Sequence, residues 1–236
     1  MPRGSLTEDG RSPTKKSGAA NADAGKGKGK GKTKAGRVRE REINEAAVDI
    51  FHAVGYSTAS VDDVAAAVGI LKGSLYYYMD SKEDLLRRIV EDVHVDVEEI
   101  IRGSLARTDL PPLERLANYI RAQVDYNVRN IKRVRVYYHD YEQLSPDQLA
   151  SVRKSRRMNE QLIVNLIRDA KSAGEVGDWV SERLAGKTTF ATITWMYTWY
   201  KPGGSISSRE LGDFCATFVI NGLRGGPLTE APIKKA

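Results

Sequence analysis

The stretch that most restricts what this chain can become runs from Ser60 to Lys82. Ser60 opens a helix, and Asp63 three positions on gives a short-armed capping box. Val61, Val64, Ala65 and Val68 then recur at the spacing of one buried helical face. Gly69 stands where a chain leaves a helix through a left-handed residue, and Ile70 and Leu71 can fold back onto the core. A second short helix follows from Lys72 through Tyr78. Two helices joined by so tight a turn form a helix-turn-helix, whose second helix enters the DNA major groove. A helix–glycine–helix corner alone does not imply DNA, because helical proteins without that role contain one too. The surface of the second helix decides: Gly73 and Ser74 let a backbone approach base edges, and Lys72 can donate to guanine. With Tyr77 these are the candidate base contacts, while Tyr76 and Lys82 are candidates for holding phosphates.

Charge points the same way once it is located. The net charge is +6, and residues 1–36 hold nine Lys or Arg against three acids, leaving 28 of each sign for the rest. All the excess therefore lies in a Gly-, Ser- and Lys-rich tail with alternating Gly and Lys over residues 25–32. Such a segment cannot bury a core and is expected to be disordered, adding salt-dependent phosphate contacts or merely solubility. No apolar run is long enough for a membrane span, and no signal peptide is expected. The one cysteine, Cys215, lies on an apolar helical stripe and reads as a core residue in a reducing, cytoplasmic setting. His52, His94 and His139 are scattered without metal spacing, and no acid, base and nucleophile converge. No catalytic site, metal site or cofactor is expected.

The remaining pattern is helical throughout, so the fold class is all-α. The first helix should run from Arg37 to Gly55, burying Ile43, Ala47, Ile50, Phe51 and Val54. The fourth opens at Ser81 and presents Leu85, Ile89, Val93 and Val97 until about Gly103. It starts at the helix-turn-helix and runs on into the second domain, so it is the natural mechanical link. The fifth begins at Pro111-Pro112 with Leu113, Leu116, Ala117, Ile120 and Val124 inward. The sixth spans about Arg133 to Tyr141. The seventh starts at the capping box Ser145-Pro146-Asp147-Gln148 and stops at Gly174. The eighth covers about Ser181 to Tyr200. The ninth starts at the capping box Ser207-Ser208-Arg209-Glu210, carries Leu211, Phe214, Cys215, Phe218 and Val219, and ends before Gly225. These marks divide the chain into a basic tail (1–36), a DNA-binding domain (37–82), a second domain (83–225) and a short tail (226–236).

Gly69, Lys72-Gly73-Ser74-Leu75-Tyr76-Tyr77 and Ser81-Lys82-Glu83-Asp84-Leu85, preceded by Ala46-Ala47-Val48-Asp49-Ile50-Phe51 and Gly55-Tyr56, resemble the TetR family of bacterial repressors over roughly residues 37 to 86. Leu71 replaces the usual capping Ser or Thr, removing a cap worth roughly 1 kcal/mol. Tyr78-Met79 replaces the common His-Phe pair. Neither change removes a donor facing DNA. The resemblance implies an operator-binding repressor and a homodimer built from the eighth and ninth helices. Two recognition helices must indeed stand about one DNA turn, roughly 34 Å, apart to read a palindrome in double-stranded DNA.

Aromatic and polar residues of the second domain suggest an effector cavity. Tyr126, Tyr137, Tyr138 and His139 lie on the fifth and sixth helices, and Trp195, Tyr197 and Trp199 near the end of the eighth. Such walls suit an apolar ligand with a polar end, although each residue would serve equally in an ordinary core. The segments 69–76, 136–140 and 199–204 look like the repressors of sterol-ring catabolism, which, like related fatty-acid repressors, respond to CoA thioesters. Arg121, Arg129, Arg133, Arg135, Arg153, Arg156 and Arg157 are the cations available for CoA phosphates. The candidate ligand set is Arg121, Tyr126, Tyr137, Tyr138, His139, Trp195 and Trp199. A nonspecific DNA-coating protein using the basic tail, or an acyl-CoA enzyme, are the competing classes.

Overall fold

A computed structural model describes residues 34–226, and within them the chain is helical with no strand. Among these residues nine α-helices succeed one another: α1 (Lys34–Val54), α2 (Val61–Ala67), α3 (Lys72–Leu75), α4 (Lys82–Ala106), α5 (Pro112–Arg129), α6 (Ile131–Asp140), α7 (Pro146–Ser172), α8 (Glu182–Thr194) and α9 (Ser208–Arg224). The basic tail and the C-terminal tail fall outside the described residues, apart from 34–36 and Gly226.

The local signals act as chemistry requires. Ser60 Oγ accepts from Asp63 N at 3.1 Å while the Asp63 carboxylate accepts from Ser60 N at 2.8 Å, so the box closes in both directions. Gly69 leaves α2 at φ +68°, the left-handed conformation that favours glycine. Ser81 caps α4 through Asp84 N, and the Ser207–Glu210 box caps α9. Leu71 stands at the N-cap of α3 with no side-chain cap.

Four boundaries differ from expectation by three residues or more. Helix α1 begins at Lys34 rather than Arg37, since only Gly36 opposes one more turn. Helix α4 runs through Gly103 to Ala106, where the Ser104 hydroxyl donates back to Ile100 O at 3.0 Å. Helix α3 is a single turn, continued to Tyr78 by tighter bonds from Tyr77 N to Ser74 O and Tyr78 N to Leu75 O. Helix α8 stops at Thr194 and tightens into a 3₁₀ turn over Trp195–Thr198 rather than reaching Tyr200. Threonine explains this last end: Thr192, Thr194 and Thr198 each donate a hydroxyl to a carbonyl three or four residues back, which loosens regular helix.

Two buried clusters fill the molecule. One gathers Ile43, Phe51, Val64 and Leu75 with Leu85, Ile89 and Val93 of α4, and extends to Val136 and Tyr137 of α6. The other holds Leu116, Ile120, Ile163, Ile167, Ile193 and Val219 from α5, α7, α8 and α9, with Cys215 buried among them. Val54, expected inside, is half exposed. Helix α4 serves both clusters, its first turns in one and Ile100 and Ile101 against the other. The division placed at residue 82 is thus crossed by continuous packing. Close helix contact in the second cluster relies on Gly186 of α8, where an added Cβ would fall 2.5 Å from Val164 Cγ2 of α7.

Candidate DNA-facing surface and effector cavity

Helix α3 turns one residue in and the rest out. Leu75 is fully buried, whereas Leu71, Lys72, Gly73, Ser74, Tyr76 and Tyr77 are exposed, Tyr77 to 90%. Space around Gly73 is open, with nothing within 4 Å of where a Cβ would stand. Lys72 Nζ meets Asp62 Oδ2 at 2.7 Å across the turn, and that bond raises the lysine pKa above its ordinary value. The pair is well solvated, so it orients the ammonium at little cost to a competing anion.

The support behind α3 was not visible in the sequence motif. Arg88 of α4 donates to Tyr78 O at 2.7 Å and to Asp84 Oδ2 at 2.6 Å. Burial alone would raise the Asp84 pKa, but Arg87 and Arg88 outweigh it and hold the carboxylate below its usual range. Arg39 of α1 donates to Val68 O at 2.8 Å, tying the end of α2. Lys82 is the correction to the phosphate set. Its Nζ bonds Tyr56 O at 2.8 Å and Ala59 O at 2.9 Å and sits 4.4 Å from the Tyr56 ring centroid. Its donors secure the α1–α2 loop, so it supports the recognition helix rather than reaching outward.

The enclosed cavity lies where α4, α5, α6, α7 and α8 meet. It is narrow, about 20 Å³, enough for a single water-sized group. Tyr137 and Tyr138 line it as expected, joined by His94, Gln123, Asn127, Asn159 and Arg156. His94 Nε2 lies 3.3 Å from Tyr137 Oη, and burial pushes the histidine pKa down and the Tyr137 hydroxyl up to about 12. The Tyr119 hydroxyl bonds Asn159 Oδ1. Arg156 reaches Tyr141 Oη at 3.1 Å and lies over the Tyr138 and Tyr141 rings. Tyr126 sits beside this region, its hydroxyl buried without a partner in bonding geometry and its pKa raised by burial and by the Asp96 carboxylate.

The other expected ligand residues lie elsewhere. Arg121 is on the outside, paired with Asp213 of α9 at 2.6 Å. His139 packs edge-on against Tyr197, facing a separate surface cleft beside His52. Trp195 and Trp199 are exposed, because the inward face that Gly186, Thr189 and Ile193 set on α8 continues to Met196, Tyr197 and Tyr200 and leaves both tryptophans on the opposite side. Among the arginines, Arg129 pairs with Asp125, Arg133 with Glu45, and Arg135 donates to Tyr197 O and Tyr200 O. Arg153 and Arg157, with Lys154, line an open cleft on α7. The polar residues that do meet in the cavity, His94, Gln123, Asn127 and Asn159, escaped sequence reading because each looks like one polar break on its own helix.

A second, open depression of about 650 Å³ runs between α8 and α9, lined by Leu184, Ala185, Thr188, Phe214 and Phe218. Phe214 and Phe218 stack at 6.1 Å and are 67% and 63% exposed. A monomer gains nothing by displaying two stacked phenylalanines to water.

Two family models match this architecture. Residues 43–89 match the bacterial regulatory proteins of the tetR family, and residues 109–223 match the tetracyclin repressor-like C-terminal domain. The chain belongs to the TetR family. It is therefore a transcriptional regulator and not an enzyme. A curated relative, the HTH-type transcriptional repressor KstR2 of Mycolicibacterium smegmatis, is 27% identical over 189 residues, covering 78% of this chain and 90% of its own. The structure of the ketosteroid transcriptional regulator KstR2 of Mycobacterium tuberculosis superposes with a TM-score of 0.75 at 23% identity, covering 80% of this chain and 96% of that one. AibR, solved in complex with isovaleryl coenzyme A and operator DNA, gives 0.68 at 23% identity over 76% of this chain and 97% of its own. These two structures establish the TetR-family fold. Among the described residues no helix is long and apolar enough to cross a membrane, and no three His, Cys, Asp or Glu side chains are grouped to hold a metal.

Proposed function

We propose that this TetR-family chain is a homodimeric repressor whose α3 helices read a palindromic operator and whose internal cavity receives the effector that releases it. Lys72, Gly73, Ser74 and Tyr77 contact base edges, and Tyr76 holds phosphate, while Lys82, Arg39 and Arg88 fix the helix from behind. The dimer forms through α8 and α9, with Phe214, Phe218 and Leu184 covered by a second copy. This division treats 37–82 as the DNA-binding part and 83–225 as the effector and dimer part.

The observation that carries the reading is the position of α6. Its Tyr137 and Tyr138 form cavity wall, while its Lys132 and Arg133 reach back to Asp49 and Glu45 of α1. A ligand larger than one water must push this wall aside, and α6 transmits the displacement to α1 and thence to α3. The ligand then favours the shape that DNA disfavours, and by linkage each weakens the other by the same factor.

For the effector, a CoA thioester is the best-supported class. Support comes from the segments resembling sterol-ring repressors, from the ketosteroid regulator among the structural neighbours and from the isovaleryl coenzyme A bound to another. The Arg153–Lys154–Arg157 cleft on α7 offers cations for the phosphates. The test is fluorescence anisotropy on a promoter palindrome at matched salt, with random duplex as control. The palindrome should bind far more tightly, and an acyl- or steroid-derived CoA thioester should release it. Equal affinity for both duplexes would mean nonspecific coating, and no response to any thioester would remove the effector assignment.

A further inference from the structure

Gln123 projects from the middle of α5 into the enclosed cavity and is 3% exposed. Its Nε2 donates to Asn127 Oδ1 at 3.1 Å, and Asn127 Nδ2 donates to Ile193 O in the last turn of α8 at 2.8 Å. This chain of amides has only one polarity. A backbone carbonyl accepts and never donates, so Asn127 must aim its NH₂ at Ile193 and its oxygen at Gln123. Gln123 must then spend its own NH₂ on Asn127, which leaves its carbonyl oxygen as the free end. That oxygen, Oε1, is buried and without a hydrogen-bond partner. The Ile193 carbonyl thus dictates that Gln123 turns its carbonyl oxygen, an acceptor, to the free end of this chain.

A buried acceptor without a donor is costly, so a group that supplies one is favoured there over a hydrocarbon or another acceptor. We propose that the effector carries an O–H or N–H that donates to Gln123 Oε1, and that this contact selects hydroxylated or amide-bearing ligands over their deoxy and keto counterparts. The inference rests on the cavity being the effector site. Within a CoA thioester two groups have the required chemistry, a hydroxyl on the acyl part and an amide N–H of the pantetheine arm. The thioester carbonyl itself is an acceptor and is excluded from this position.

The test is calorimetric titration of the full chain with cyclohexanecarbonyl-CoA and its 4-hydroxy and 4-oxo analogues, each alongside the free acid. A hydroxyl donor predicts roughly tenfold or tighter binding of the hydroxy ligand than of either analogue, the keto ligand faring no better than the deoxy one. The Gln123→Met variant should erase that preference to within about twofold while still binding the deoxy ligand. If instead the CoA ester is preferred over its free acid whatever the ring carries, and Gln123→Met abolishes that preference, the donor is the pantetheine amide. If the CoA esters fail to bind but the free hydroxy acid is preferred through Gln123, the donor requirement stands and the thioester assignment falls. The ligand-side comparison needs no variant and remains decisive if Gln123→Met misfolds. Absence of any discrimination between donor-bearing and donor-free ligands, which is what a trapped water on Oε1 would produce, overturns the proposal.

Discussion

Helices α3 and α5 put polar chemistry to opposite use. The first is one turn long, buries only Leu75 and offers its remaining side chains to solvent. The second is five turns long and hides Tyr119, Gln123 and Asn127 on the same face as Leu116, Ile120 and Val124. On α3 the cost of isolation is avoided by exposure, so specificity is left for a partner to satisfy. On α5 a buried polar group must be matched internally, and the two atoms that are not, Gln123 Oε1 and the Tyr126 hydroxyl, stand out for that reason. The outward surface is fixed by its anchors, while the inward one is fixed by its hydrogen-bond polarity.

The sharpest way to break this contrast is to remove the single inward residue of α3. Leu75→Ala should cost about 2–5 kcal/mol of stability, read as a large fall in thermal midpoint, because the side chain is fully enclosed by the first cluster. A shift no larger than that of a surface substitution would mean α3 is not anchored there. Next in size is the outer face of the second cluster. Replacing Phe214 and Phe218 together by Asp should convert the dimer to monomer in sedimentation. Operator affinity should then fall roughly a hundredfold, since the two half-sites would be bound independently, while melting of the monomer is little changed.

The same contrast explains how much of this was legible in the chain. The helix-turn-helix could be read because its signals are local: Ser60 with Asp63, Gly69 at its positive φ, and Leu75 inside an exposed set. The cavity could not, because Gln123, Asn127, His94 and Asn159 come from three helices and converge only after packing. Aromatic content was a poor guide there. Tyr137 and Tyr138 reached the cavity, but Trp195 and Trp199 face solvent, because the inward positions of that stretch fall on Ile193, Met196, Tyr197 and Tyr200. Lys82 carried the right charge for phosphate, yet loop carbonyls within 3 Å claim it.

Smaller effects refine the picture. Tyr77→Ala touches no buried group and should leave the melting temperature unchanged while weakening operator binding by about 1–3 kcal/mol, with little change on random duplex. Equal weakening on both duplexes would move Tyr77 from base reading to phosphate contact. Inside, His94 has its pKa lowered below 6.5, first by burial. Above pH 6.5 the histidine is neutral folded or unfolded and contributes no slope. As pH falls below 6.5 the unfolded chain takes up a proton that the folded chain refuses, so stability declines until the lowered folded value is passed. His94→Gln should flatten that decline below pH 6.5, and an unaltered slope would place the effect on His52, whose pKa burial also lowers.

The claim beneath all of these is that an outward reading helix and an inward ligand cavity belong to one coupled switch. Selecting duplexes from a random pool with the full-length protein, then titrating the enriched sequence with and without a CoA thioester, tests it directly. The account predicts enrichment of an inverted repeat bound by two chains, and a loss of affinity on adding the thioester that Arg133→Ala blunts by cutting the α6–α1 link. Enrichment of no repeat, or affinity indifferent to every thioester in both proteins, would contradict it.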